Sequence, residues 1–163
     1  LLATIPLIVF QSFNFVWLPD FLGEKNLQTL KKKNDRNAKI ILSVLLLLSI
    51  FIWFGSYLLL QWNIFPRNYG EITSYLPMLL LSQVFEALIL YYFNYFTYFE
   101  KTHIPMVISV CGAFAGYLLY SLSAEKFGAI GISTSIAVIN IAITLLYIIF
   151  SNHYINKRIK ATA

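Results

Sequence analysis

The run from Ile72 to Tyr98, ITSYLPMLLLSQVFEALILYYFNYFTY, holds one charged residue, Glu86, near its middle. At about 1.5 Å per residue it is long enough, as a helix, to cross a hydrocarbon core of about 30 Å. No water reaches that depth to satisfy free backbone groups, so such a run must be helical. A charge at mid-bilayer depth costs about 3 kcal/mol, and the residue that bears it normally faces a bundle interior or a wet cavity. At about 100° per residue, Gln83, Glu86, Asn94 and Thr97 fall within about 80° of one another. The rest of the circumference is mainly Leu, Ile, Phe and Tyr. The expectation is a polar stripe turned toward protein and an apolar face turned toward lipid or packed helices. Such a stripe also glues helices together with no further role. Both readings stand for Gln83, Asn94 and Thr97, whereas Glu86 is expected to be functional.

Four more apolar runs repeat the pattern, at 1–18, 40–61, 104–121 and 128–150. The expected fold is therefore an all-α integral membrane protein with about five transmembrane helices. Charged residues make up 12% of the chain, against about 25% in a soluble domain. Cys111, His103 and His153 each stand alone, which leaves no cysteine or histidine cluster for a metal. No phosphate-binding glycine loop or nucleophile elbow is present. The chain is thus expected to hold no metal and no organic cofactor, and none of its motifs marks a catalytic residue or an enzyme.

In the first span Thr4, Gln11 and Asn14 share one face, and Pro6 weakens the opening turns. Trp17 fits an interfacial anchor, and Pro19 with Asp20 is expected to end the span. The segment 19–39 reads as a basic linker whose helix-like part, with Leu27 and Leu30 on one side, lies along the membrane surface. It lacks the aromatics of a nucleic-acid patch, so no nucleic acid is expected. The second span, rich in Leu and Ile, reads as a lipid-facing strut. Pro66, Asn68 and Gly70 supply turn chemistry to the loop after it. Pro77 is a candidate kink in the third span. Gly112 and Gly116 stand in GxxxG spacing, read as packing within the chain. A short loop is expected at 123–127. Ser133, Ala137, Asn140 and Thr144 give the last span a small, polar packing face, and 151–163 is a tail.

Alternating spans sort the loops onto two sides. One side holds Lys25, Lys31, Lys32, Lys33, Arg36, Lys39, Lys101, Lys157, Arg158 and Lys160; the other holds only Arg67 and Lys126. Ten basic residues against two place the first side, including the C-terminus, in the cytoplasm. The chain opens at Leu1 inside an apolar run, and is read as a C-terminal piece of a longer protein.

The order of motifs is WLP at the end of a polar-faced helix, a basic linker, FPxxYG, FEKTHIP, and KFGAIGISTSIAVIN opening a last helix of small residues. Over nearly the whole chain this order resembles the C-terminal part of bacterial polysaccharide repeat-unit flippases, the O-antigen and capsule type. Those belong to the multidrug/oligosaccharidyl-lipid/polysaccharide exporter superfamily. The resemblance implies the last five of about twelve spans, in the C-terminal six-helix lobe of a two-lobe, alternating-access transporter of the bacterial inner membrane. It implies a polyprenyl-pyrophosphate-linked oligosaccharide as cargo and the missing N-terminal lobe of the same chain as partner, both within the lipid bilayer. Gln11 and Asn14 become cavity candidates on a lining helix, with Gln83 and Asn94 as further amides for a sugar path. Glu86 resembles the cation-coupling acids of drug-exporting relatives, with H⁺ or Na⁺ as coupling ion. The chain departs from the pattern in one respect: no basic residue lies at membrane depth, where an anionic cargo would call for one. Alternatives are a cation-coupled multidrug exporter of the same superfamily and a membrane structural or assembly subunit. A membrane glycosyltransferase or polymerase would need larger outer loops.

Overall fold

The computed structural model describes residues 2–64 and 70–162, and these are helical apart from short connections. Pro66, Arg67 and Asn68, with most of the FPxxYG motif, lie outside the described residues. A 3₁₀ turn, Leu2–Thr4, leads into α1, Ile5–Gly23. Pro6 sits at the start of α1, where its missing N–H is one of the orphan donors of any helix N-terminus.

Pro19 and Asp20 do not end α1, contrary to expectation; the helix continues to Gly23. Proline inside a helix costs about 3 kcal/mol. The cost is offset by Phe21, which is fully buried and meets the rings of Tyr95 and Tyr98 edge-on at 5.1 and 5.9 Å. Trp17 lies between Phe13 and Phe21, and its indole N–H is buried without a partner among the described residues.

The chain turns at extended Glu24, and Asn26 caps α2, Leu27–Gln61. The Asn26 side-chain oxygen accepts from the N–H groups of Gln28 and Thr29 at 3.0 and 3.1 Å. The basic segment is therefore not a separate surface helix but the first turns of α2. The reason is a buried stripe, Leu30, Asn34, Ala38, Ile41 and Leu45, that passes without a break from the basic part into the apolar part. Beside it, Lys33 donates to the Glu24 carboxylate at 2.8 Å, and this bond holds the Glu24 carboxyl below the usual carboxylate range. The opposite face of α2, with Leu47, Ile50 and Phe51, is exposed.

Helix α3, Ile72–Tyr98, is the hub. Pro77 cannot donate to the Thr73 carbonyl, and the indole N–H of Trp53 on α2 donates to it instead, at 3.3 Å. Leu80, Val84, Ala87, Leu88, Tyr91, Tyr95 and Phe96 form the core against which the other helices pack. Helix α3 ends with Glu100 at φ 55°, where Lys101 N–H reaches the Phe96 carbonyl at 2.8 Å and Glu100 N–H the Thr97 carbonyl at 3.1 Å. That cap normally carries glycine, because a left-handed conformation costs other residues about 1–2 kcal/mol. Glu100→Gly is expected to raise stability by about 0.5 kcal/mol after glycine's larger unfolded-state entropy is counted; chemical unfolding in detergent measures it, and a loss would contradict the cap.

The remaining helical stretch, His103–Thr162, is broken at Gly128, with φ 57° and ψ −136°. It is a hairpin of α4 (103–127) and α5 (129–162). The Ser123 and Ser135 hydroxyls are 2.6 Å apart, and Gly112 lies against Ile143. The loop expected at 123–127 is helical, and one residue makes the turn. The tail is helical too, because Ser151 and Ile155 extend the buried stripe of α5. Gly112 packs within the chain as expected, whereas Gly116 meets only its own Tyr120. Counting the stretch before and after Gly128 as one, four helices are long and apolar enough to cross a membrane, and no strand occurs among the described residues.

Candidate functional site

The polar stripe of α3 stands on the half-open side of that helix. The expectation had the stripe turned toward protein; Asn94 is buried as expected, but Gln83, Glu86 and Thr97 are not, and the apolar face around Leu80, Val84, Tyr91 and Tyr95 is the one that packs most fully. Burying the larger apolar face removes more oily surface than burying the stripe could, so that face takes the centre of the bundle. Gln83, Glu86 and Leu90 are half-buried, and Thr97 is exposed.

The stripe divides into two pairs. Gln83 Nε2 donates to Glu86 Oε2 at 3.0 Å, one turn apart on the same helix. Asn94 Nδ2 donates to Asn14 Oδ1 on α1 at 2.9 Å. Eight residues separate Glu86 from Asn94, a rise of about 12 Å, so the pairs do not form one site. Asn94 is buried, and its amide serves the packing of α1 on α3. Gln11 is exposed on α1 and joins neither pair. Helices α1 and α3 run in the same direction, since Phe10 meets Tyr91, Asn14 meets Asn94, and Phe21 meets Tyr98.

Glu86 has Gln83 as its only hydrogen-bond partner and lies in no ion pair among the described residues. No group of three or more His, Cys, Asp or Glu suited to a metal occurs among them. Behind Glu86, α5 meets the α3 backbone at two points. Asn140 Nδ2 donates to the Ser82 carbonyl at 3.1 Å, and the Thr144 hydroxyl is shared between the Asn140 carbonyl of its own helix at 2.7 Å and the Phe85 carbonyl at 3.1 Å. These carbonyls already serve the α3 ladder and use their second lone pairs here. The small residues of α5 signalled close packing; which backbone atoms its polar members would reach was not legible. Carboxylate, amide and open side together form a polar wall, with α5 packed behind it.

A second polar element was not foreseen. Asn34 is fully buried beside Tyr95, its backbone carbonyl accepts from the Tyr91 hydroxyl at 3.1 Å, and among the described residues neither side-chain polar atom has a partner in hydrogen-bond geometry. In sequence it lies within a run of charged and polar residues that signalled exposure.

A family model described as MatE matches residues 16–122, more than half of the chain. The match takes in Gln83, Glu86 and Asn94 and excludes Gln11, Asn14 and α5. Comparison with curated proteins and with solved structures gives no match.

Proposed function

The chain belongs to the MatE family of multi-pass membrane transporters, and from that premise we propose that it works as part of a cation-coupled flippase. Its cargo is a polyprenyl-pyrophosphate-linked oligosaccharide, moved from the cytoplasmic to the outer leaflet of the bacterial inner membrane by alternating access. Membership places the chain in the multidrug/oligosaccharidyl-lipid/polysaccharide exporter superfamily, whose members transport and are not enzymes. The observation that carries the coupling role is Glu86: a half-open carboxylate, mid-way along a spanning helix, with one amide partner and no ion-pair partner among the described residues. A carboxylate so placed takes up H⁺ or Na⁺ when the cavity opens to one side and releases it when the cavity opens to the other.

The cargo assignment is supported by the motif order in the sequence and by the side chains on the open side. Sugar hydroxyls need partners throughout the crossing, since an unpaired one in hydrocarbon costs several kcal/mol. In this proposal Gln11, exposed on α1, and Gln83, half-buried on α3 beside Glu86, supply them. Asn14 and Asn94 are engaged with each other and reach cargo only if α1 moves on α3. In this proposal the chain has five spans, with α4 and α5 each crossing once and the basic ends of α2 and α5 in the cytoplasm. The other lobe of the same transporter supplies the cations that an anionic cargo requires.

A second reading is favoured by the absence of any basic residue at membrane depth in the sequence: a cation-coupled exporter of cationic drugs, for which Glu86 would be a direct counter-ion. Proteoliposomes holding the full-length transporter separate the two. Under an imposed H⁺ or Na⁺ gradient, translocation of a fluorescent lipid-linked oligosaccharide is expected, with no uptake of ethidium. Ethidium uptake without oligosaccharide translocation would replace the first reading by the second, and neither activity would refute both.

A further inference from the structure

The basic end of the molecule holds a groove of about 540 Å³ between the first turns of α2 and the last turns of α5. One wall carries Lys31, Lys32, Arg36 and Lys39 with Asp35; the other carries Asn156 and Ile159. Lys31 and Lys32 stand one turn from Asp35 and Arg36, and these one turn from Lys39, so successive turns of α2 present all four cations to the groove. Lys31 Nζ donates to Asn156 Oδ1 at 2.7 Å and ties the walls together. Among the described residues, Lys32, Arg36 and Lys39 have no ion-pair partner, whereas the neighbouring Lys33 is engaged by Glu24. Four cations thus share a groove with a single carboxylate.

Depth identifies the ligand. The apolar run of α2 begins at Ile40 and that of α5 ends at Phe150. Arg36 therefore stands about 6 Å beyond the hydrocarbon edge, Lys32 about 12 Å and Asn156 about 9 Å. The polar headgroup layer is about 5–8 Å thick on each side. Lys39 and Arg36 fall within it, and Lys32 is within side-chain reach of it. The α2 wall meets the layer in which phospholipid phosphates lie, and Asn156 of the other wall stands just beyond it. A guanidinium and two ammonium groups at that level match a phosphate diester and its neighbouring polar oxygens. Of the five cations in these turns of α2, four line this one groove, which a second helix closes; Arg36 also borders the neighbouring groove that holds Lys33.

We propose that this groove is a binding site for the phosphate headgroup of an anionic phospholipid, held by Lys32, Arg36 and Lys39. A lipid bound there bridges α2 and α5 at their membrane-emerging ends. The site needs only that these helices span the membrane, so it stands or falls independently of the cargo.

Native mass spectrometry of the full chain in detergent, loaded with phosphatidylglycerol or with phosphatidylcholine, tests this. Phosphatidylglycerol is expected to be retained preferentially. The triple variant K32Q/R36Q/K39Q is expected to lose about a hundredfold of that preference, at roughly a factor of five per cation. The control K25Q/K101Q/K157Q removes the same charge outside the groove and is expected to change it by less than about threefold. Asp35→Asn removes the one carboxylate and is expected to tighten retention, a gain that misfolding cannot mimic. Equal losses in the two triple variants would reduce the groove to general surface charge and overturn the proposal. So would an unchanged preference in K32Q/R36Q/K39Q. Displacement of phosphatidylglycerol by an equal concentration of inorganic phosphate would make the ligand a free phosphate and overturn the lipid assignment.

Discussion

Gly131→Ala is expected to destabilise the protein by about 3 kcal/mol, although it adds one methyl group. A Cβ at Gly131 would fall inside contact distance of the Ser123 carbonyl oxygen, 3.0 Å from its carbon and 2.8 Å from the Phe127 Cβ. Two of these three atoms are backbone, and the third is fixed to backbone. Relief requires α4 and α5 to separate at the end where one residue turns the chain. Separation would also break the 2.6 Å Ser123–Ser135 hydroxyl contact. Gly128→Ala acts at the same turn by another route. Its φ of 57° with ψ of −136° is open to glycine and strained for any L side chain, at a cost of about 1–3 kcal/mol, though a Cβ there would meet nothing. Gly112→Ala should cost less, because the atom it meets is the end of the flexible Ile143 side chain. Gly55→Ala, in the interior of α2 with open space around it, should stabilise by up to about 1 kcal/mol. Thermal unfolding in one detergent ranks the series as Gly131, Gly128, Gly112, then Gly55. A silent Gly131→Ala would mean that α4 and α5 are not packed this closely.

Glu86→Gln is expected to abolish the dependence of transport on the ion gradient while leaving the protein folded. The amide keeps the shape and retains a partner for Gln83, so the turn at residues 83–86 is undisturbed. What is lost is one exchangeable charge. One elementary charge moved across about 100 mV is worth about 2.3 kcal/mol, or about a fiftyfold accumulation ratio. In proteoliposomes of the full-length transporter, gradient-driven accumulation should fall by about that factor. Exchange of cargo across an unenergised membrane should stay within about twofold. Glu86→Asp, which keeps the charge on a shorter stem, should retain part of the coupling. Unchanged accumulation in Glu86→Gln would remove Glu86 from the coupling path, and equal loss of driven transport and exchange would make its role structural.

Much of the architecture was legible in hydrophobic patterning. The run 72–98 is a helix with the bounds read from the sequence, because long apolar runs in a membrane have no other way to satisfy their backbones. Errors fell where tertiary contact overrode a local signal. Pro19 and Asp20 signalled a stop that the burial of Phe21 overrode. Lys31 to Lys39 signalled a surface segment, yet buried Leu30, Asn34 and Ala38 carry α2 straight through it. Residues 123–127 signalled a loop, but Gly128 and Gly131 compress the reversal into one residue. Of the candidate site, Glu86 and its neighbours on one stripe followed from helical periodicity. That Asn94 would pair with Asn14, eighty residues away, did not.

Composition and periodicity by themselves determined that the chain is helical, crosses a membrane, carries one carboxylate within the run 72–98 and concentrates its cations at the start of α2 and the end of α5. Those properties follow from the cost of placing backbone and charge in hydrocarbon, which acts on each segment alone. Only the tertiary structure decided which face of α3 is covered, which amides are engaged in packing, and that the basic turns of α2 meet α5 in a groove. Those outcomes turn on how side chains far apart in sequence fit together, and no single segment carries that information.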